Sequence, residues 1–207
     1  YFGLTNMHWL PLMMIYGLIG FKNGGLKLSL TIVASFLFIT FTGVLPQALL
    51  SIYLCGIAVI ISFILGSSLG IWAAHNDKVS AFMRPINDTM QTMPSFVILI
   101  PFVMFFGIGE FTALLAIIAY AFVPAMRYTE HGLRNLPETV IEAARMIGCS
   151  QTQLLWKVKI PLAMPVIMLG LNQTIMFGLA MLVIAALVGT TGLGQLIYIG
   201  LSKADFG

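Results

Sequence analysis

The segment Glu142-Ala143-Ala144-Arg145-Met146-Ile147-Gly148, followed by Ile160-Pro161, holds the most concentrated polar chemistry in an otherwise apolar chain. Of ten basic and seven acidic residues, five basic (Arg127, Arg134, Arg145, Lys157, Lys159) and three acidic (Glu130, Glu138, Glu142) fall within residues 127–159. Carboxylates and guanidinium groups beside small alanines suit recognition of a soluble protein. The alanines let a surface come close, and the charges find counterparts on it. Phosphate chemistry is not available, because no Gly-x4-Gly-Lys-Ser/Thr loop exists to cradle a nucleotide. Gly189, Gly192 and Gly194 have the wrong order for one and read as an outer turn. Neither Cys55 nor Cys149 has a Cys or His neighbour at metal-ligand spacing. A non-enzymatic chain without a cofactor of its own is expected.

The elements that must hold this segment are set by composition. Of the 207 residues, 59% are hydrophobic and 8% charged, against about 25% charged in a soluble domain. Lipid has to cover such a surface. Residues 28–44, 47–74, 96–109, 111–126 and 163–189 are long, nearly charge-free runs, several near the ~20 residues that a spanning helix needs; residues 7–20 form a shorter one. Continuous rather than alternating apolar runs select helices over a barrel. The fold class predicted is all-α and polytopic, with five or six transmembrane helices in one domain over residues 1–207. Nine basic residues (Lys22, Lys27, Lys78, Arg84 and the five above) fall in loops on one side if six spans alternate. The positive-inside rule makes that side cytoplasmic. A net charge of +3, spent at span ends, leaves nothing for nucleic acid.

Between the last two runs the sequence predicts two short helices. Pro137 suits a first helical position, and Glu138 the first turn, where the helix dipole favours negative charge. Leu136, Val140, Ala143, Ala144 and Ile147 share one face at helical spacing, with Glu138, Glu142 and Arg145 opposite. Gly148 ends the first helix. Ser150 and Gln153 make a capping box for the second, which Pro161 is expected to break before the last span. An amphipathic connector lying on lipid is the alternative, but it would carry bulky apolar residues opposite Lys and Arg. Two alanines and two glutamates favour a protein partner.

Within the spans, Gly66-Ser-Ser-Leu-Gly70 is a small-xxx-small pattern that allows close helix packing. Pro94 and Pro101 predict a kinked or irregular helix, which either borders a cavity or is simply tolerated. Asn172, Gln173 and Thr174 are the most polar intramembrane cluster. They serve either interhelical hydrogen bonds or the edge of a solute path. No Asp, Glu, Lys, Arg or His falls in the middle of an assigned span. This argues against proton-coupled carriers and intramembrane hydrolases, which need such groups.

Glu142-Ala143-Ala144, Gly148 and Ile160-Pro161 resemble the EAA loop of binding-protein-dependent ABC importer permeases. Over residues 47–207, Asp88-Thr-Met-Gln-Thr-Met-Pro94, Phe106-Gly-Ile-Gly109, Lys157-Val-Lys-Ile-Pro-Leu-Ala-Met-Pro165, Asn172-Gln-Thr-Ile-Met176 and Gly192-Leu-Gly-Gln195 are similar to permeases of glycine betaine/proline/choline uptake. The resemblance implies a MetI-like permease fold with residues 127–161 as a cytoplasmic coupling loop. It implies docking of an ATPase subunit, which binds the ATP, through Glu142, Ala143, Ala144, Gly148, Ile160 and Pro161. A second permease copy, an extracytoplasmic substrate-binding protein and a bacterial cytoplasmic (inner) membrane location follow, with a path near Asn172, Gln173, Thr174 and Pro94. The solute is glycine betaine or a related compatible solute such as proline, choline or carnitine. Another small polar solute, such as an amino acid, stays open, as does a secondary carrier or channel. The family has a further span after the Gly192 region, so both ends of this chain are expected to be trimmed.

Overall fold

A computed structural model of the chain describes residues 9–203, and no strand occurs among them. Met7 and His8, the start of the first expected span, lie outside the described residues. Helices form throughout because lipid offers backbone N–H and C=O groups no partner other than their own chain. The first helical stretch, Trp9–Phe41, is interrupted at Gly25, with φ 70° and ψ −165°. We number its halves α1 (residues 9–24) and α2 (residues 26–41). In one straight helix residues 17 and 33 would stand about 24 Å apart, at about 1.5 Å per residue. Instead, a Cβ built on Gly17 would lie 3.2 Å from Val33 Cγ2, and the Ser29 hydroxyl donates to the Gly17 carbonyl at 2.9 Å. The two halves fold back as a hairpin whose tip lies between Lys22 and Lys27.

The remaining helices are α3 (Leu45–His75), α4 (Asp77–Thr92), α5 (Ser95–Phe106), α6 (Glu110–Arg134), α7 (Glu138–Met146), α8 (Gln151–Ala185) and α9 (Leu193–Lys203). Four helical stretches are long and apolar enough to cross a bilayer: Pro11–Phe41, α3, α6 and α8. Counting the bent pair α4–α5 makes five. The chain is a multi-pass α-helical membrane protein.

Two expectations about element bounds change, while the kink expected at Pro94 is present: α5 has 12 residues, holds Pro101 within it and meets α4 at 102°. Pro94 causes the break: its ring pushes Met93 into extended backbone (ψ 138°) and it has no N–H to continue the ladder. The polar loop does not begin at Arg127, because α6 continues as helix through Arg134. Finally, Pro161 does not break its helix. Leu154–Lys159 is wound as a π-helix, with the Ile160 N–H reaching back to the Leu155 carbonyl. The wider π turn directly before Pro161 relieves the clash that a proline ring makes with an α-helical backbone. Helix therefore runs unbroken from Gln151 to Ala185.

The chain groups into two compact units, one of residues up to Leu54 and from Thr191 on, the other Cys55–Thr190. In the first, the α1–α2 hairpin is accompanied by α9, whose Leu193 N–H donates to the Ser51 hydroxyl at 2.9 Å. The sequence suggests only a turn around Gly192; α9 is an addition to that reading. In the second unit α6 is the central helix, buried against α3 on one side and α8 on another. The Gly66–Gly70 pattern performs this packing. A Cβ on Gly66 would meet the Phe122 carbonyl at 2.5 Å, and one on Gly70 the Met126 carbonyl at 2.6 Å. Across the other contact, Gly170 faces Tyr128, and Gly132 faces Val166. Leu133, Ala163 and Ile167 close the core at the end from which α7 departs.

Candidate functional site

The segment 135–160 is built by local signals. Pro137 stands one position earlier than expected, as the N-cap of α7, and Glu138 lies in the first turn. At the other end the Gly148 N–H donates to the Arg145 carbonyl at 2.9 Å and the Cys149 N–H to the Ala144 carbonyl at 3.2 Å. This pair of bonds is a Schellman ending, and it requires the left-handed backbone that Gly148 supplies with φ +88°. Two residues later Ser150 receives the Gln153 N–H at 3.3 Å, while Gln153 Oε1 accepts the Ser150 N–H at 3.0 Å. The capping box is present as read, so α7, a four-residue turn (147–150) and α8 form a helix-turn-helix.

The inner face of α7 differs from the expected stripe. Ala144 is buried and Ile141 half-buried, but Ala143 and Val140 are exposed, and Ile147 is 84% exposed. A nine-residue helix resting on the π segment of α8 covers only a narrow line of its surface, and Leu154 fills the space beneath. What faces outward is Glu142, Ala143, Arg145 and Met146, bordering a surface hollow of 520 Å³, with the exposed Ile147 beside them. Of the motif residues, Glu142, Ala143 and Gly148 are exposed, Ala144 anchors the helix, and Ile160 and Pro161 lie inside the rod that carries it.

The intramembrane cluster is less convergent. The Thr174 hydroxyl is buried and donates to the Gly170 carbonyl of its own helix at 2.8 Å. Asn172 is exposed and Gln173 half-buried on α8, while Pro94 sits at the α4–α5 break. Close to Gln173, Phe177 stacks on Tyr120 of α6, with ring centroids 5.0 Å apart.

A second polar group escaped sequence reasoning. The Arg134 side chain donates to the Ala73 carbonyl at 2.6 Å and to Asp77 at 2.8 Å, with its Nε 3.0 Å from Glu130. The Glu130 carboxylate, on a buried residue, also accepts from the Ser80 hydroxyl. Arg127 bonds Gln91 at 2.6 Å and pairs with Asp88. Arg84, Tyr128 and His131 join several of these groups around a 690 Å³ cavity. Apart from the i,i+4 pair Glu130–Arg134, the partners are 36 to 61 positions apart in sequence, so no local spacing announces the ties between helices. The only available signal was that these charges sit at the period of α6 rather than in a run of turn residues.

Residues 66–207 match the family model for the binding-protein-dependent transport system inner membrane component. The glycine betaine/proline betaine transport system permease protein ProW of Escherichia coli is 38% identical over 194 residues, which are 94% of this chain and 55% of that protein. The glycine betaine transport system permease protein OpuAB of Bacillus subtilis is 36% identical over 207 residues, covering 99% of this chain and 73% of OpuAB. The trimethylamine N-oxide transport system permease protein TmoV of Pelagibacter ubique is 43% identical over 88% of this chain, which spans only 26% of TmoV. Among solved structures, an inward-facing MetNI methionine ABC transporter aligns with a TM-score of 0.69 at 21% identity, over 79% of this chain and 81% of that one. The likeness establishes an ABC permease fold. With the family model covering most of the chain, this protein belongs to the inner-membrane components of binding-protein-dependent transport systems.

Proposed function

We propose that this chain is the membrane-spanning subunit of an ATP-driven importer of glycine betaine or a closely related compatible solute, in which α7 docks the ATPase subunit. The observation that carries this reading is the build of α7. Its N-terminus is fixed by Pro137 and its end by a Schellman turn at Gly148, and Glu142 and Arg145 are exposed and belong to no ion pair among the described residues. Rigid backbone and free charge together suit a docking surface, because binding then costs little ordering. Ile160 and Pro161 act indirectly, by joining this surface to the α8 rod.

The ATPase binds and hydrolyses ATP; this chain supplies the path. Two permease copies enclose that path in a bacterial cytoplasmic membrane, and an extracytoplasmic binding protein delivers the solute. Nucleotide-driven closure of the ATPases displaces α7 and biases the helices between inward and outward access, a two-state change favoured by whichever state the bound nucleotide prefers. Asn172 and Gln173 edge the path on α8, and Pro94 shapes the broken helix beside it. Thr174, tied to its own helix, supports the backbone there. The relatives named for glycine betaine, proline betaine and trimethylamine N-oxide support a small solute with a methylated nitrogen. The stacked Tyr120–Phe177 pair offers aromatic faces for such a cation, an attraction of roughly 0.5–2 kcal/mol.

Copurification tests the docking. The tagged permease, coexpressed with its ATPase, should retain it, and Glu142→Arg should release it while the permease stays monodisperse. Retention unchanged after α7 is replaced by an unrelated helix would sink the reading. Uptake of labelled glycine betaine, proline and choline by the reconstituted complex then separates the candidate solutes.

A further inference from the structure

Arg134 is the last residue of α6, three residues before the N-cap of α7. Its guanidinium reaches three elements at once: its own helix through Glu130 (3.0 Å), the end of α3 through the Ala73 carbonyl (2.6 Å), and the first residue of α4 through Asp77 (2.8 Å). Glu130 adds a second tie to α4 through the Ser80 hydroxyl. The Glu130 side chain, 11% exposed, is largely out of water, and the Arg134 side chain, 28% exposed, keeps one edge in it, so the charge-assisted hydrogen bonds are best shielded around the carboxylate. The receiving end is equally well built. Asn76 Oδ1 caps α4 by accepting the Lys78 and Val79 N–H groups at 3.0 and 3.4 Å. The far end of α4 is the 102° break to α5 at Met93–Pro94.

From this geometry we infer that Arg134 and Glu130 are the positioning residues that pass displacement of α7 to the α4–α5 broken helix. The inference rests on the reading of α7 as the ATPase docking helix. Only Asn135, Leu136 and Pro137 separate Arg134 from α7, so a shift of α7 pulls directly on the last turn of α6. That turn is fixed to the start of α4 by two side-chain contacts, Arg134 with Asp77 and Glu130 with Ser80, and to the end of α3 by a third, Arg134 with the Ala73 carbonyl. Helix α4 therefore follows the last turn of α6, and its motion is delivered at the Pro94 corner, where the helix ends in extended backbone at Met93. Helix α5 also packs directly on α6 and α8, but it is the polar ties that join the last turn of α6 to the start of α4. The fixed charges near the loop thus act as a transmission, and their loss should disconnect hydrolysis from movement without undoing docking.

The test measures labelled glycine betaine uptake and phosphate release together, in proteoliposomes holding the full complex of permease, ATPase and binding protein. Arg134→Gln should leave the ATPase bound and hydrolysing while solute carried per ATP falls about tenfold, within the range of ordinary coupling energies. Arg134→Lys keeps the charge but carries its three donors on one nitrogen and lacks the planar fork that reaches three elements at once, so it should restore only part of the ratio. Asp77→Asn alters a carboxylate that is 93% exposed and leaves the fold intact, so it gives a smaller fall in the same ratio even if Arg134→Gln fails to assemble. An unchanged ratio in Arg134→Gln overturns the inference. So does an unchanged ratio in Asp77→Asn, or uptake and hydrolysis that decline in step. A wild-type permease that retains no ATPase instead refutes the docking itself, and the inference falls with it.

Discussion

The last turns of α6 and the surface of α7 are neighbours in sequence and carry similar charge, yet they use it in opposite ways. Arg127 and Arg134 take part in all three ion pairs found among the described residues, with Asp88, Asp77 and Glu130 as partners. Glu138, Glu142 and Arg145 take part in none. A chain with 8% charged residues has divided them into an internal set that fixes helices to one another and an external set held ready on a rigid mount. Substitutions in the first set should therefore reach stability, and those in the second should reach the partner.

Glu130→Ala should have the largest effect on stability, because it removes a largely buried carboxylate that accepts from both Arg134 and the Ser80 hydroxyl. Losing hydrogen bonds to a charged group costs about 2–3 kcal/mol, visible as a lower unfolding temperature of the purified permease. A variant as stable as wild type would erase the distinction drawn above. Next, Gly148→Val forces a β-branched residue to φ +88°, a local strain of about 2 kcal/mol. It should loosen α7 and release the ATPase while the membrane helices unfold as before. Ser150→Ala removes half of the capping box at a cost of about 1 kcal/mol, seen as faster amide exchange at Gln153. Asp88→Asn breaks a pair whose carboxylate is 62% exposed; the loss should be below about 1 kcal/mol and should vanish in high salt. Smallest of all, Glu142→Gln should shift stability by less than about 0.5 kcal/mol and yet weaken ATPase retention. If Glu142→Gln unfolded the permease, Glu142 would belong to the internal set.

The two sets also differ in how far the sequence exposes them. The Schellman ending at Gly148 and the box at Ser150–Gln153 are made by residues within a few positions of one another, so their spacing is enough to find them. Burial within α7 was harder. Helical period identified an apolar stripe, but only the tertiary contact with Leu154 decides that Ala144 goes in and Ile147 stays out. Beyond the i,i+4 pair Glu130–Arg134, the Arg134 network is not legible from spacing, since its meaning lies in partners that α3 and α4 bring from fifty or more positions away. Prolines carry a related lesson. Pro94 and Pro161 have the same missing N–H, but Pro94 ends a helix and Pro161 is absorbed by one. Pro85, Pro101, Pro124 and Pro165 are likewise absorbed inside helices, so the missing N–H alone does not decide where a helix ends.

The widened turn before Pro161 has a genetic consequence. A π segment is an α-helix with surplus backbone, and each residue of an α-helix advances the chain by about 100° of rotation. Six residues in a wide π turn rotate the chain about as far as five in an α-helix, so the surplus residue between Leu154 and Lys159 is taken up locally. Deleting it should leave Glu142, Ala143 and Gly148 on nearly the same azimuth while setting Pro161 against an ordinary α-helical turn. Deleting a residue from the regular part of the same helix, beyond Pro165, has no such slack to draw on and should turn the docking face by about 100° relative to the membrane half. A single-codon deletion outside the motif would then abolish the interface while every residue of the motif remained in place.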